Sequence, residues 1–370
     1  MAEPNHQQDL QGQSVSRRDF LKFCSMMAGV LALPRSFTPT IAKALEASKR
    51  TPVIWLEMQD CAGCTEALLR SSRPTVGELV LDVLSVDYHE TIMAAAGNLA
   101  EEAKQATIKA GGYLLVVEGS IPLKDEGIYC CVGGKTAVQL LDEAIDNSIA
   151  IVAVGNCAAF GGLPKANPNP TGAVSVKDYV KDRKPVLNLP GCPYNPVNLT
   201  ATVVHFLTFG ELPAMDDLGR PLFAYGARIH DNCERRGHFD AAEFVTAWGD
   251  EGHKKGWCLY KMGCKGPVTF HNCPSVRYND GTSWPVMAGH GCIACSEPDF
   301  WELGLYNHAD LQKFAPPATY APVMQPTTKL DPFTTGVVGA VAGAAIGAAG
   351  VAAFNALSKP DEPEPDEKKG

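Results

Sequence analysis

Val53-Ile54-Trp55-Leu56-Glu57-Met58-Gln59-Asp60-Cys61-Ala62-Gly63-Cys64 starts as a short apolar run and ends in a C-x-x-C pair. A run this short and this apolar reads as a strand buried on both faces. The same figure returns twice downstream. Residues 149–154 run into Gly155-Asn156-Cys157, and residues 186–189 run into Pro190-Gly191-Cys192-Pro193. Runs at 80–88 and 113–118 bring the candidate strands to five, with helical stretches at 98–110 and 137–146 between them. Alternating β and α over residues 52–209 predicts an α/β fold with a doubly wound parallel sheet. In such a sheet ligands sit beyond the carboxyl ends of the strands. Cys61, Cys64, Cys157 and Cys192 are therefore expected to converge on one sheet edge. Nearby glycines let the backbone approach a bulky group there.

Composition narrows the function. The chain has 370 residues, with 41 acidic against 32 basic side chains and a net charge of −9, which argues against a nucleic-acid binder. A chain 45% hydrophobic and 20% charged is neither disordered nor a multi-span membrane protein. After about residue 209 the strand signal fades, and residues 210–320 are rich in Gly, Pro, Cys, His and Trp. So irregular a segment needs something besides a large core to order it, and bound metal is the natural candidate.

The soft ligands fall into groups. Beyond the first four cysteines come His230-x2-Cys233 and Cys258-x5-Cys264, then Cys273 and Cys292-x2-Cys295. Thiolates in fours suit zinc or iron–sulfur clusters. A set of three suits a three-iron cluster and suits structural zinc poorly. A disulfide framework is the third reading. The odd total of 13 cysteines and the short C-x-x-C loops count against it.

Neither end reads as part of the globular fold. Ser16-Arg17-Arg18-Asp19-Phe20-Leu21-Lys22, an apolar stretch at 23–33, and Ala42-Lys43-Ala44 with small residues at −3 and −1 resemble a twin-arginine export signal over residues 1–44. Its removal would take Cys24 and leave 12 cysteines. At the other end residues 336–354 form a 19-residue run without charge, just long enough to span a bilayer. Gly339, Gly343 and Gly347 give G-x-x-x-G steps for a partner helix. Lys359, Lys368 and Lys369 suggest a cytoplasmic tail.

Other features carry less. Gly134-Lys135-Thr136 resembles the end of a phosphate loop, but Tyr129 stands where the loop needs glycine. Cys130 and Cys131 lack partner spacing and read as buried apolar residues. His89, His205, His238, His253, His271, His290 and His308 read as structural.

Taken together these motifs resemble the small subunit of membrane-bound, periplasm-facing nickel–iron uptake hydrogenases. Cys61-Ala62-Gly63-Cys64-Thr65-Glu66, Gly119-Ser120-Ile121-Pro122, Gly155-Asn156-Cys157 and Pro190-Gly191-Cys192-Pro193 carry the resemblance, with His230-x2-Cys233-Glu234-Arg235-Arg236 and Gly263-Cys264-Lys265-Gly266-Pro267. So do Asn272-Cys273-Pro274, Trp284-Pro285-Val286 and Gly289-His290-Gly291-Cys292-x2-Cys295, together with both ends of the chain.

The resemblance implies a flavodoxin-like domain over 52–209 with a proximal [4Fe–4S] cluster on Cys61, Cys64, Cys157 and Cys192. It implies an irregular domain over 210–320, with a distal [4Fe–4S] cluster on His230, Cys233, Cys258 and Cys264. A medial [3Fe–4S] cluster would sit on Cys273, Cys292 and Cys295, with Pro285 where a fourth cysteine would stand. A linker over 321–335, a membrane anchor over 336–357 and a tail over 358–370 would follow. The implied role is electron transfer from H2 oxidation in a nickel–iron large subunit to the quinone pool, with no catalytic residue in this chain. The implied partners are that large subunit (as a heterodimer or a dimer of heterodimers), a membrane cytochrome b or iron–sulfur, quinone-linked subunit, and the lipid bilayer. The implied location is the inner membrane with the globular part in the periplasm. Gly63 and Gly162 stand where the oxygen-tolerant branch carries extra cysteines, which implies an oxygen-sensitive enzyme. Two other classes are an iron–sulfur subunit of a quinone oxidoreductase, which the seven further ligands disfavour, and an exported zinc module, which the set of three disfavours.

Overall fold

The computed structural model describes residues 17–47, 50–71 and 84–308. Helices α1 (Arg17–Val30) and α2 (Thr38–Ala47) come first. Five strands follow: β1 (Thr51–Glu57), β2 (Leu84–His89), β3 (Tyr113–Glu118), β4 (Ser148–Val154) and β5 (Val186–Leu189). They form one parallel sheet in the order 2-1-3-4-5. That is the flavodoxin-like order, with its switch point between β1 and β3. Val116 of β3 pairs with Trp55 on one side and Val152 on the other. The expected strands at 113–118 and 186–189 stand as read. Of the expected run at 80–88, the part before Leu84 lies outside the described residues.

Side-chain alternation along the strands builds two apolar layers. Ile54, Leu56, Leu115, Val117 and Ile151 face one side and meet Ile108 of α4 (Asn98–Ala110) and Leu140, Leu141 and Ile145 of α5 (Ala137–Ile145). Val53, Trp55, Val116, Val152 and Leu187 face the other side and meet Leu199 and Val203 of α8 (Pro196–Phe209). Burying each such side chain contributes roughly 1.5–3 kcal/mol. Three shorter helices leave strand ends or loops: α3 (Gly63–Leu69), α6 (Gly155–Phe160) and α7 (Val176–Val180). The phosphate-loop look-alike has a structural task. Thr136 caps α5 by accepting from the Gln139 nitrogen, and Gln139 accepts from the Thr136 nitrogen in return.

Beyond α8 the chain is loops and one-turn helices. Its small core is Ile229, Val245, Leu259, Cys264, Cys273, Trp284, Val286 and Cys292, so cysteines take up three of eight buried positions. Polar contacts tie this region to the sheet. Asn156 Nδ2 donates to the carbonyls of Cys295 (2.9 Å) and Glu297 (3.0 Å). Asn198 and Asn272 exchange amide hydrogen bonds. Tyr278 donates to the Pro193 carbonyl. All the described residues belong to one compact unit, Met1–Phe314.

The amino-terminal segment corrects the expectation that it stands outside the fold. Helices α1 and α2 bury Cys24, Met27, Ala28, Ile41 and Ala42 against Ala201 and Val204 of α8. The apolar stretch read as a leader core also forms one stripe of an amphipathic helix, and α8 offers it a matching face. The apolar run at 336–354, its linker and tail lie outside the described residues. Among the described residues, no helix is long and apolar enough to cross a membrane.

Candidate metal centres

The strand ends deliver the first four thiols. β1 leads to Cys61 and to Cys64 at the start of α3, β4 passes directly into α6 with Cys157, and β5 ends three residues before Cys192. Two glycines make the convergence possible. Gly155 has φ +82°, and a Cβ there would fall on Cys64 Sγ. Gly162 has φ +58°, and a Cβ there would fall on Cys157 Sγ and lie 2.7 Å from Cys157 Cα. The loop around the C-x-x-C pair hangs on Glu118 at the end of β3. Its carboxylate accepts from the Cys64 and Thr65 nitrogens at 3.0 and 3.2 Å, from Thr65 Oγ1 at 2.6 Å and from Trp55 Nε1 at 3.3 Å.

Burial pushes the Cys64 thiol well above its ordinary value, and Glu118, Cys157 and Cys192 add repulsion. Burial likewise pushes Cys157 up to about 12, with Cys192 and Cys61 adding to it. Cys192 is raised by burial and by Cys61. Behind them burial holds Asp60 up at about 7 and Glu90 at about 8.

A second group gathers in the irregular region. Cys233, Cys258 and Cys264 lie close enough that Cys264 and Cys258 both raise the Cys233 thiol, after burial, to about 11. Gly266 brings the His230 backbone near them: a Cβ there would touch Cys264 Sγ at 3.5 Å and the His230 backbone nitrogen at 3.9 Å. Burial, then Arg236, pushes the His230 imidazole down to about 4, so at neutral pH it is an uncharged nitrogen donor. Its ring meets the Phe239 ring edge-on at 4.5 Å.

Cys273, Cys292 and Cys295 make the third group. They line a cavity of about 460 Å³ together with Cys192, Trp284 and Pro285. Burial raises all three, Cys295 to about 11, and Cys295 acts on both of the others. Trp284 Nε1 is buried beside the cavity without a protein acceptor.

Backbone N–H groups point at the sulfurs. Arg235 donates to Cys233 (3.4 Å), Cys292 to Cys264 (3.2 Å) and Ala294 to Cys292 (3.4 Å). The Tyr194 and Leu163 backbones pull the Cys64 and Cys157 thiols back down, and the Cys192 backbone does the same for Cys295, across the first and third groups. Such donors favour sulfurs that carry negative charge. Yet in the first and third groups the neighbours acting most strongly on the thiols are other thiols, carboxylates and phenols, not cations. Bunched thiols with donors aimed at them, crowded mainly by one another and by burial, fit a bound metal, which turns each thiol into a thiolate.

Some placements differ from the reading or escaped it. Cys131 is exposed rather than buried, because it sits in a two-residue hairpin rung opposite Thr136. Cys130 is partly buried against the sheet core. Of the histidines read as structural, His271 lies with Nδ1 3.0 Å from Cys273 Sγ, so it touches a candidate ligand. Glu118 and Arg220 belong to none of the sequence motifs. Glu118 did carry a signal, as the charged residue ending an otherwise apolar strand.

A doubly wound sheet with soft ligands on its carboxyl edge, continued by a thiol-rich irregular region, has the make-up of a metal-binding subunit. Residues 61–206 match the family described as NADH ubiquinone oxidoreductase, 20 Kd subunit, and residues 225–306 match the C-terminal family of the NiFe/NiFeSe hydrogenase small subunit. The quinone-reactive Ni/Fe-hydrogenase small chain of Wolinella succinogenes is 52% identical over 79% of this chain and 83% of that one. The periplasmic [NiFe] hydrogenase small subunit 1 of Nitratidesulfovibrio vulgaris is 48% identical over 78% of this chain and 92% of that one. Among solved structures, an H2-activated [NiFeSe] hydrogenase from Dm. baculatum matches with a TM-score of 0.66 and 36% identity, covering 71% of this chain and all of that one. The chain belongs to the small subunits of nickel–iron hydrogenases. It is the electron-transfer partner of a nickel-bearing large subunit in a heterodimeric oxidoreductase, and small subunits of this family hold iron–sulfur clusters.

Proposed function

We propose that this subunit relays electrons from H2 oxidation to the quinone pool through two [4Fe–4S] clusters and one [3Fe–4S] cluster. Cys61, Cys64, Cys157 and Cys192 hold the proximal cluster, and Cys273, Cys292 and Cys295 hold the medial one. His230, Cys233, Cys258 and Cys264 hold the distal one. Bound clusters of these kinds each take up and release single electrons. The chain's own groups do the rest. Burial excludes water from the thiols other than Cys61 and Cys192, N–H donors stabilise charge on sulfur, and the uncharged His230 replaces one thiolate, which alters the net charge of its site.

The observation that carries this reading is the gathering of ten cysteines into three groups, all of them at least partly buried except Cys61 and Cys192, with His230 three residues before Cys233 in the second. Cys192 raises the Cys295 thiol, so the first and third groups are neighbours.

The wider assignment follows the same line. Residues 1–44 are a twin-arginine leader, 52–209 and 210–320 are the two cluster-bearing domains, and 336–357 are a membrane anchor between a linker and a cytoplasmic tail. The body works in the periplasm, a reading supported by the name of the Nitratidesulfovibrio relative. Electrons leave through a cytochrome b or iron–sulfur membrane subunit to quinone, supported by the name of the Wolinella relative. Gly162 has no room for a side chain beside Cys157, which supports a four-thiol proximal site and an oxygen-sensitive enzyme. Sustained H2 oxidation in air would refute that last point.

The test is metal content and EPR on the complex solubilised from native membranes. The expected result is about 11 iron per chain, with a three-iron signal on oxidation that disappears under H2. Zinc in place of iron, or iron that does not respond to H2, would overturn the relay.

A further inference from the structure

Helix α8 is apolar on two sides. Leu199 and Val203 face the sheet, and Val197, Ala201 and Val204 face outward. A helix with two apolar faces needs a second cover. In this chain the cover is the segment read as the export leader. Cys24, Met27, Ala28 and Ile41 are 0% exposed, as are Ala201 and Val204 beneath them. Phe37 meets Phe209 with ring centroids 6.1 Å apart. The turn out of α1 is built rather than loose: Ala32 takes φ +56°, and the Leu33 nitrogen donates to the Ala28 carbonyl at 2.8 Å.

The docked leader divides its own signals. Arg17 and Arg18, at the start of α1, are exposed. Ala42 is buried inside α2, and Ala44 is half-buried in the same helix. Proteolytic cleavage favours exposed, locally unfolded backbone, and a packed helix denies it.

We propose that the outer face of α8 is an intramolecular docking surface for the leader, one that displays the twin arginines while hiding the cleavage segment. The occupant is residues 17–47 of the same chain. This rests on reading residues 1–44 as an export leader. A folded body thus keeps its leader protected until the hairpin is drawn off α8. Hydrolysis of the Ala44–Leu45 bond then follows undocking. Premature loss of the leader in the compartment where clusters are loaded is prevented by the same contact.

Cys24 is a native reporter of docking. Its thiol is buried, and burial pushes it up to about 11, which slows alkylation through the thiolate. The experiment uses the full, cluster-loaded chain from cells lacking the twin-arginine translocase. N-ethylmaleimide labelling is followed by peptide mass spectrometry in the wild type, Met27→Asp and Val204→Asp. Met27→Asp lies in the leader, so it spares the body even if Val204→Asp does not fold. Cys24 is expected to react at least about tenfold more slowly in the wild type than in Met27→Asp. Iron content and the labelling of exposed Cys131 are expected to match. Cys24 labelling as fast in the wild type as in Met27→Asp, with iron content intact, would overturn docking. Amino-terminal sequencing of the chain from translocase-competent cells tests the other premise. A mature chain still carrying residues 17–44 would overturn the leader reading and leave docking to the Cys24 result.

Discussion

Glu118 Oε1 accepts a hydrogen bond from the Cys64 backbone nitrogen at 3.0 Å, so the end of β3 holds the C-x-x-C turn of β1. Its hydrogen-bond partners are all donors, two backbone nitrogens, the Thr65 hydroxyl and the Trp55 indole, while the Glu57 and Asp60 carboxylates lie within 4.8 Å. Burial raises this carboxyl, and the Thr65 and Cys64 donors pull it back. Glu118→Gln keeps the shape but turns an amide NH2 toward donors, at a cost of about 1–3 kcal/mol. The expected result is a lower melting temperature for the loaded complex. An unchanged melting temperature would show that Glu118 does not anchor the turn.

Crowding and backbone strain at Gly155 can be separated. Gly155 and Gly256 both have positive φ, +82° and +76°, but only at Gly155 would a Cβ meet a thiol. Each alanine costs about 1 kcal/mol in backbone strain. Gly155→Ala should in addition displace Cys64 and cut iron by about 4 per chain. Gly256→Ala should keep the full count. Equal iron in the two variants would remove the steric role given to Gly155.

The sheet was legible because its strands are apolar, short and punctuated. Residues 113–118 and 186–189 could be read to the residue, and the carboxyl-edge rule then placed Cys61, Cys64, Cys157 and Cys192 together. The irregular half had no period to read, so spacing alone grouped its ligands. Contacts that depend on tertiary approach left no local trace. Arg220 and Glu297 are 77 residues apart. His271 reads in the sequence as one more structural histidine, and only the fold brings its Nδ1 to 3.0 Å from Cys273 Sγ. The packing of α1 on α8 was missed for a different reason: an export leader and an amphipathic helix share one pattern, and only the facing surface tells them apart.

Acid should weaken the fold through His89. The ring is fully buried, stacks on Trp55 at 5.0 Å, and contacts Thr65 and Thr91. Burial lowers it from 6.5 to about 4. Below pH 6.5 the unfolded chain takes up a proton that the folded chain refuses until about pH 4. The contribution is therefore intact above pH 6.5 and lost as pH falls toward 4, by ~3 kcal/mol in all. Glu90, raised to about 8, works in the opposite direction as pH rises from 4.5. Comparing variants at each pH isolates the histidine. His89→Gln should lose less melting temperature than the wild type between pH 6.5 and 4. Parallel losses would mean that His89 is protonated in the folded state.

The buried pair Arg220–Glu297 holds the turn after Cys295 against the rest of the molecule. Arg220 Nη1 donates to Glu297 Oε1 at 3.0 Å and to the Ser296 carbonyl at 3.1 Å, while Nε binds Asp216 at 2.7 Å. Glu297 Oε1 also accepts from the Phe270 nitrogen at 2.6 Å. The two side chains are 5% and 14% exposed, so neither charge can turn to water if its partner goes. Arg220→Met strands the Glu297 carboxylate, and a broken buried pair of this kind costs about 3–5 kcal/mol. Glu297→Gln in the same chain removes the stranded charge and keeps an acceptor for Phe270. The double variant should therefore melt above Arg220→Met although it carries more changes, as a double-mutant cycle with strong coupling requires. Because Ser296 adjoins Cys295, Arg220→Met should also weaken the three-iron EPR signal more than the other cluster signals. Additive losses in the cycle would show that the pair stabilises nothing as a pair. An unaltered three-iron signal would show that Cys295 is held without it.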